Sequence, residues 1–293
     1  MKRELSKTTI AVITKFQKDE ITATKLYKYL AEKEKNADNK KVLKEMASVE
    51  QAHYDSWLAI SDTEVKANYP KLLFFMLISS LLGITFAIKY LERGEVKGIK
   101  GYRHAASELP EAETMVKDEE RHEKMLIALI DEERLRYVAS IVLGLNDALV
   151  ELTGAIAGFT FAFNDTRTIA LTAIITGVAA TLSMAASNYL AQKADDNSDA
   201  LKEAIYTGIA YLITVILLVL PYLLIGNKML ALSATLCVVV LIIMFFSYYV
   251  HITKTVPFFS RFLEMALICF AVTAISYLIG ILAKNFLGLD IAA

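Results

Sequence analysis

The chain has 293 residues, with 31 Lys and Arg against 32 Asp and Glu and a net charge of −1. Residues 1–134 hold 23 basic and 23 acidic side chains, whereas residues 135–293 hold only 8 and 9. The balanced charge of the first part argues against a nucleic-acid-binding protein, and two cysteines without a Cys-x-x-Cys pair exclude zinc ribbons and iron–sulfur clusters. We therefore expect two domains, 1–134 and 135–293, the second of them surrounded by hydrocarbon.

The first domain is predicted to be all-α. The apolar periodicity, the short polar breaks and Pro110 at a first helical position predict helices at 6–34, 39–60, 69–106 and 110–133. Four helices joined by short connections are typical of an antiparallel four-helix bundle.

Two Glu-x-x-His pairs lie in these helices, Glu50 with His53 and Glu119 with His122. Residues three apart share a helix face, so the carboxylate and the imidazole of each pair can converge on one ion. A di-iron carboxylate site needs two such pairs and a glutamate from each of the other two helices. A solvated acidic face is the alternative, but it does not require pairs on alternate helices. The predicted ligands are Glu20, Glu50, His53, Glu92, Glu95, Glu119 and His122.

Two tyrosines repeat at a fixed distance from these acids. Tyr27 follows Glu20 by seven residues, and Tyr102 follows Glu95 by seven. A duplicated helical hairpin around a pseudo-two-fold metal pair would leave this repeat, with the tyrosines donating hydrogen bonds to the carboxylates. Seven-residue spacing is also ordinary core periodicity, so both interpretations stay open.

Residues 72–88 are apolar enough to resemble a membrane span. If they crossed the bilayer, however, the two Glu-x-x-His pairs would lie on opposite sides and could not meet. We therefore predict an unusually apolar bundle helix. Such a helix suggests a protein partner or contact with the membrane surface, and we interpret it as a homodimer contact or a domain-docking face.

Five apolar stretches follow Arg136, each close to the roughly 20 residues that a membrane-spanning helix needs. They are predicted at 138–163, 169–191, 205–225, 229–252 and 262–282. The fold class is thus an all-α chain, a ferritin-like four-helix bundle followed by a five-helix transmembrane domain.

The N-terminus lacks the apolar core and cleavage site of a signal peptide, so we expect the first domain in the cytosol. Basic residues beside the spans agree with that orientation. The cytosolic ones would be Arg134, Arg136, Lys193, Lys202, Lys254 and Arg261, against Arg167, Lys228 and Lys284 outside. Five spans then place the C-terminus outside.

Ionisable groups inside a span are costly and therefore indicate function. Asp147 and Glu151 lie four residues apart on the first span, Met184 lies in the second span, and Glu264 begins the fifth. Carboxylates with an occasional thioether suit a borderline-soft divalent metal. Glu264 near the interface and a lone methionine in a helix also have ordinary structural explanations.

With these residues identified, the chain resembles a rubrerythrin-like domain fused to a membrane domain of the vacuolar iron transporter type. In the first half the resemblance rests on the seven predicted ligands. In the second half it rests on the strings IVLGLNDALVELTG at 141–154 and SMAAS at 183–187.

The resemblance implies a five-span dimer that exchanges Fe²⁺, and often Mn²⁺, for protons and moves the metal out of the cytosol. Asp147 and Met184 resemble the ion-path residues of that family. A glutamate that is often found one turn after the methionine is here Asn188, and the connection between spans two and three is only 192–203. No rubredoxin domain is present to deliver electrons.

Two hypotheses follow. The first is a homodimeric iron exporter of a prokaryotic plasma membrane, primarily not an enzyme, with the bundle's di-iron centre (Fe²⁺/Fe³⁺, with Mn²⁺ as an alternative) collecting or sensing cytosolic metal. Asp147, Glu151 and Met184 would then be successive ligands, and Glu264 a proton acceptor. The second is a membrane-anchored di-iron oxidase or peroxidase. A closed ferritin-like storage shell is disfavoured by the large membrane half.

Overall fold

The computed structural model describes residues 6–99, 137–254 and 256–287. The described residues are helical apart from short connections and contain no strand. The chain divides into two compact units, Met1–Glu133 and Arg134–Ala293.

The first unit begins with two helices, α1 (Lys7–Lys33) and α2 (Ala37–Ser61), which pack against each other as a hairpin. Ser6 caps α1, since its hydroxyl accepts a hydrogen bond from the Thr9 N–H at 3.2 Å. The Asn36 side chain caps α2 in the same way, accepting from the N–H of Asp38 at 2.9 Å. These caps explain why both helices begin within a few residues of the predicted positions.

The predicted third helix, 69–106, is interrupted. α3 (Tyr69–Leu82) ends at Gly83, and α4 (Ile84–Ile99) follows it. Gly83 has φ 98°, a conformation that glycine adopts without steric cost. The rings of Phe75 and Tyr90 lie 6.0 Å apart, whereas a straight helix would separate them by about 22 Å, so α4 folds back toward α3.

The apolar segment 72–88 therefore belongs to two helices rather than one. α3 has 14 residues and a length of about 21 Å, too short to cross a hydrocarbon core of roughly 30 Å. Part of the predicted third helix and the whole predicted fourth helix, 110–133, lie outside the described residues. The four-helix bundle thus stays a prediction, while α1 to α4 share one core.

The second unit contains five helices that are long and apolar enough to cross a membrane, as the sequence predicted. They are α5 (Val138–Ala162), α6 (Thr166–Ala194), α7 (Ala200–Leu224), α8 (Lys228–Lys254) and α9 (Phe258–Leu287). For α9, the candidate span covers at least Phe258–Ser276. Asp165 caps α6, and hydrogen bonds from the hydroxyl and N–H of Thr168 hold the pKa of its carboxyl below the usual value.

Helices α5 and α7 run side by side in the same direction. Thr207 of α7 contacts the start of α5, and Tyr222 near the end of α7 bonds to Thr160 near the end of α5 at 2.6 Å. The two backbones approach closely at Gly144, where an added Cβ would lie 2.2 Å from the Thr207 carbonyl oxygen. A glycine at this position therefore allows two backbones to touch, a common device in membrane helix packing.

Candidate metal sites

The first candidate site is a group of three predicted ligands, Glu20 from α1 and the pair Glu50 and His53 from α2. One ligand atom from each residue lies within 4.8 Å of the others. Glu50 is 1% exposed and Glu20 is 7% exposed, while the His53 side chain is 20% exposed. The His53 Nδ1 lies 3.8 Å from the Glu50 Oε2.

Helix periodicity explains why these acids are buried. Ile13, Gln17, Glu20 and Tyr27 lie on one stripe of α1, and all of them face the interior. On α2, Glu50 lies in a buried stripe whose other members, apart from Asn39 in the first turn, are apolar or aromatic. Carboxylates therefore occupy positions at which this hairpin elsewhere places core residues.

The donor set fits a divalent cation. Carboxylate oxygens and imidazole nitrogens both bind first-row transition metals, and two ligands of one ion at roughly 2.1 Å lie no more than about 4.2 Å apart. A spread of 4.8 Å needs only a small side-chain adjustment to reach that value. Two neighbouring buried carboxylates repel each other when both are ionised, and a bound cation would relieve that repulsion.

The other predicted members of this site are only partly covered by the structure. Glu92 and Glu95 belong to α4, but their side chains lie outside the described part of the chain, as do Tyr102, Glu119 and His122. Tyr27 is fully buried in the core of the first unit. The structure thus brings together three of the seven predicted ligands and leaves the other four untested.

The second candidate site lies in the membrane helices. Asp147 and Glu151 are one turn apart near the middle of α5. Asp147 is half-buried and Glu151 is exposed on the surface of the single chain. The buried Tyr211 of α7 donates a hydrogen bond from its hydroxyl to the Glu151 Oε2 at 3.0 Å.

Met184 and Asn188 lie one turn apart on α6. Met184 is half-buried and packs against the core of the second unit. Asn188 is buried, and its Nδ2 donates to the Thr207 hydroxyl at 2.7 Å, which in turn lies 3.1 Å from the Ser140 carbonyl oxygen. Asn188 therefore joins α6 to α7 and, through Thr207, to α5.

Glu264 is exposed at the beginning of α9. Its Oε2 lies 3.2 Å from the Arg261 Nη1 of the same helix, and its side chain is 56% exposed. The structure thus gives Glu264 a partner on its own helix. Within the described ranges, three or more His, Cys, Asp or Glu ligands come together only at Glu20, Glu50 and His53.

Sequence reasoning missed Tyr211 and Thr207. Both are polar groups in an apolar span, and a search for ionisable residues alone passes over them. Tyr211 lies 60 residues from Glu151 along the chain, so no local spacing connects the two. A phenol in mid-span was the signal that could have found Tyr211, since a buried tyrosine hydroxyl usually has a partner.

The five apolar helices define an integral membrane protein. Residues 138–200 match the model of the VIT family, the vacuolar iron transporters. The matched region covers α5 and α6 and includes Asp147, Glu151, Met184 and Asn188. Comparison with curated proteins and with solved structures gave no match.

Proposed function

We propose that the protein transports divalent iron, with Mn²⁺ as an alternative substrate, out of the cytosol in exchange for protons. The observation that carries the proposal is the Asp147 and Glu151 pair on a membrane helix, held by Tyr211, within a region similar to the VIT family. Charged groups at this depth are costly and are retained where ions pass.

Carboxylates suit such an exchange, because one group binds either a metal ion or a proton. Binding of one releases the other, and this linkage makes the two compete. Asp147 and Glu151 would act as successive ligands, with the Met184 thioether favouring a softer metal over Mg²⁺ or Ca²⁺. Glu264 is the candidate proton acceptor, since it lies within two turns of the start of α9, near the expected membrane boundary.

The transporting form would be a homodimer. Glu151 is exposed in the single chain, although it lies on a helix that crosses the bilayer. A carboxylate that faced hydrocarbon at this depth would be strongly disfavoured, whereas a second copy on this face of α5 would cover it and enclose a polar path.

The first unit would collect or sense cytosolic metal before transport. Glu20, Glu50 and His53 form a buried set of donors that fits a divalent cation. With the other predicted ligands, Glu92, Glu95, Glu119 and His122, they would hold a di-iron centre of the rubrerythrin type, with Tyr27 and Tyr102 bonded to the carboxylates.

Metal flux tests the transport proposal. The protein is reconstituted into proteoliposomes containing a metal-sensitive dye, and Fe²⁺ uptake is followed with and without a pH gradient. Asp147→Ala should lower the flux by about 100-fold, because it removes a ligand from the path. Asp195→Asn is the matched control, since this carboxylate is exposed between α6 and α7. Parent-like flux in Asp147→Ala would refute the assigned path.

A second candidate is a membrane-anchored di-iron oxidase or peroxidase, which the Glu20, Glu50 and His53 group favours because the same ligands support oxygen chemistry. The double variant Glu50→Gln with Glu119→Gln separates the two functions. Loss of peroxide turnover with intact flux would make the first unit an enzyme or a regulator. Loss of flux would mean that the first unit supplies metal to the membrane path.

A further inference from the structure

Helix α3 exposes a continuous apolar face. Leu73, Leu77 and Leu81 lie four residues apart on this face and are 65%, 60% and 66% exposed, and Phe74 beside them is 48% exposed. No charged residue occurs between Leu72 and Ile88. Contiguous apolar surface of this kind on a folded unit marks a contact site.

The opposite face of α3 packs into the core of the first unit. Leu72, Phe75 and Ser79 are buried, and the first two belong to the core that α1 to α4 share. Apart from Ser79 and Ser80, whose hydroxyls bond to the Met76 carbonyl oxygen, the helix from Leu72 onward is thus apolar on both sides but buried on one side only. Its register is fixed by the core, so the face formed by Leu73, Phe74, Leu77 and Leu81 cannot turn inward.

Basic and aromatic groups gather at the N-terminal end of this face. Tyr69 is 53% exposed, and its hydroxyl lies 2.9 Å from the Lys25 Nζ. Lys66 is exposed and lies close enough to Tyr69 to act on its phenol electrostatically. Lys71 is paired with Asp19 at 2.6 Å, so Lys25 and Lys66 supply the positive charge at this end.

An apolar face with an aromatic residue and lysines at one end is typical of a helix that lies in a membrane interface. With 14 residues, α3 is too short to cross the bilayer, but it is long enough to lie along its surface. The same polypeptide contains five helices that are long and apolar enough to cross a bilayer. A lipid surface is therefore always near the first unit, which is covalently joined to them.

We propose that α3 is an interfacial helix, which inserts Leu73, Phe74, Leu77 and Leu81 at the boundary between headgroups and acyl chains. Lys25 and Lys66 contact anionic headgroups beside Tyr69. This contact fixes the first unit to the membrane surface. The inference is independent of the transported ion, since it rests on α3 and its surroundings alone.

Site-directed spin labelling of the full chain in liposomes tests the contact. Cys237→Ala removes the exposed cysteine, while Cys269 is buried. A nitroxide is then attached to Leu73→Cys, Leu77→Cys or Leu81→Cys, one at a time. Ser56→Cys is the matched control, because Ser56 is exposed on the polar surface of α2.

In liposomes containing phosphatidylglycerol, the α3 labels should collide with oxygen, which concentrates in acyl chains, and should be protected from a water-soluble nickel chelate. The Ser56 label should show the reverse. Lys66→Gln should lower the ratio of membrane-inserted to water-exposed label at Leu77 about fivefold, because one cation near an anionic surface is lost.

Nickel accessibility at Leu77 equal to that at Ser56 would overturn the proposal. Labels at Leu73, Leu77 and Leu81 that exclude both reagents, with spectra broadened by a neighbouring nitroxide, would also overturn it and would assign this face to a second copy of the chain.

Discussion

Both units of this protein carry a pair of carboxylates, but in different arrangements. In the first unit, Glu20, Glu50 and His53 come from two helices, are largely buried and converge within 4.8 Å. In the second unit, Asp147 and Glu151 lie one turn apart on one helix, and the Tyr211 hydroxyl donates a hydrogen bond to Glu151 at 3.0 Å. Neither acid in α5 is fully buried.

Under the proposed function, the difference would separate a site that holds a cation from a path that passes one on. Convergent ligands with little exposure favour tight binding, because the ion replaces its water shell by several fixed donors at once. A permeation path instead needs successive sites that an ion can leave. The comparison predicts that metal affinity depends on the first unit and that flux depends on how α5 is positioned against α7.

The largest effect is expected from a substitution at Gly144, where α5 and α7 approach each other. Gly144→Ala places a Cβ 2.2 Å from the Thr207 carbonyl oxygen and must push α5 away from α7. We expect a loss of about 3 kcal/mol in the free energy of unfolding, measured by SDS-induced unfolding in mixed micelles. Gly158→Ala is the control, since nothing lies within 4 Å of its added Cβ. Equal stability of the two variants would contradict the close approach.

The convergence in the first unit is tested by Glu50→Gln. The amide keeps the shape of the side chain but removes the charge, so we expect the affinity for Fe²⁺ or Mn²⁺ to fall about 100-fold in equilibrium dialysis of the full chain. Glu45→Gln changes an exposed acid on the same helix and should leave the affinity unchanged. Equal affinities in the two variants would mean that this group is not a metal site.

The smallest expected effect belongs to Tyr211. Tyr211→Phe removes the hydroxyl that bonds to the Glu151 Oε2 while keeping the ring, so we expect about tenfold lower flux with unchanged stability. Tyr222→Phe on the same helix removes a hydroxyl that bonds to the Thr160 hydroxyl rather than to a carboxylate. It should transport like the parent. If both variants lose flux equally, the hydroxyl of Tyr211 has no special part in the path.

Several elements could be predicted from the sequence because their cause is local. The five spans follow from runs of about 20 apolar residues, and all five are found close to the predicted positions. The pairing of Glu50 with His53 follows from helix periodicity. Glu20 was chosen by analogy with a di-iron ligand set, and the packing of α1 against α2 does bring it to that pair.

Other features could not be predicted, because they depend on which helices pack together. The bend at Gly83 falls inside the predicted single helix 69–106, because the sequence on both sides of this glycine continues without a proline. In the sequence, Asn188 is only a departure from a family pattern. In the structure, its side chain on α6 donates a hydrogen bond to Thr207 on α7. Glu264 is predicted as a proton acceptor from its residue type and its place at the start of a span. Its pairing with Arg261 is visible only in the structure.

The sequence by itself determined which segments enter the membrane and which side chains are candidate ligands, because apolar length and helical spacing act within one segment. Only the tertiary structure decided that α4 folds back on α3, that Tyr211 bonds to Glu151, and that α3 leaves an apolar face uncovered. These outcomes depend on which helix surfaces pack together, and the residue pattern within one segment does not determine that.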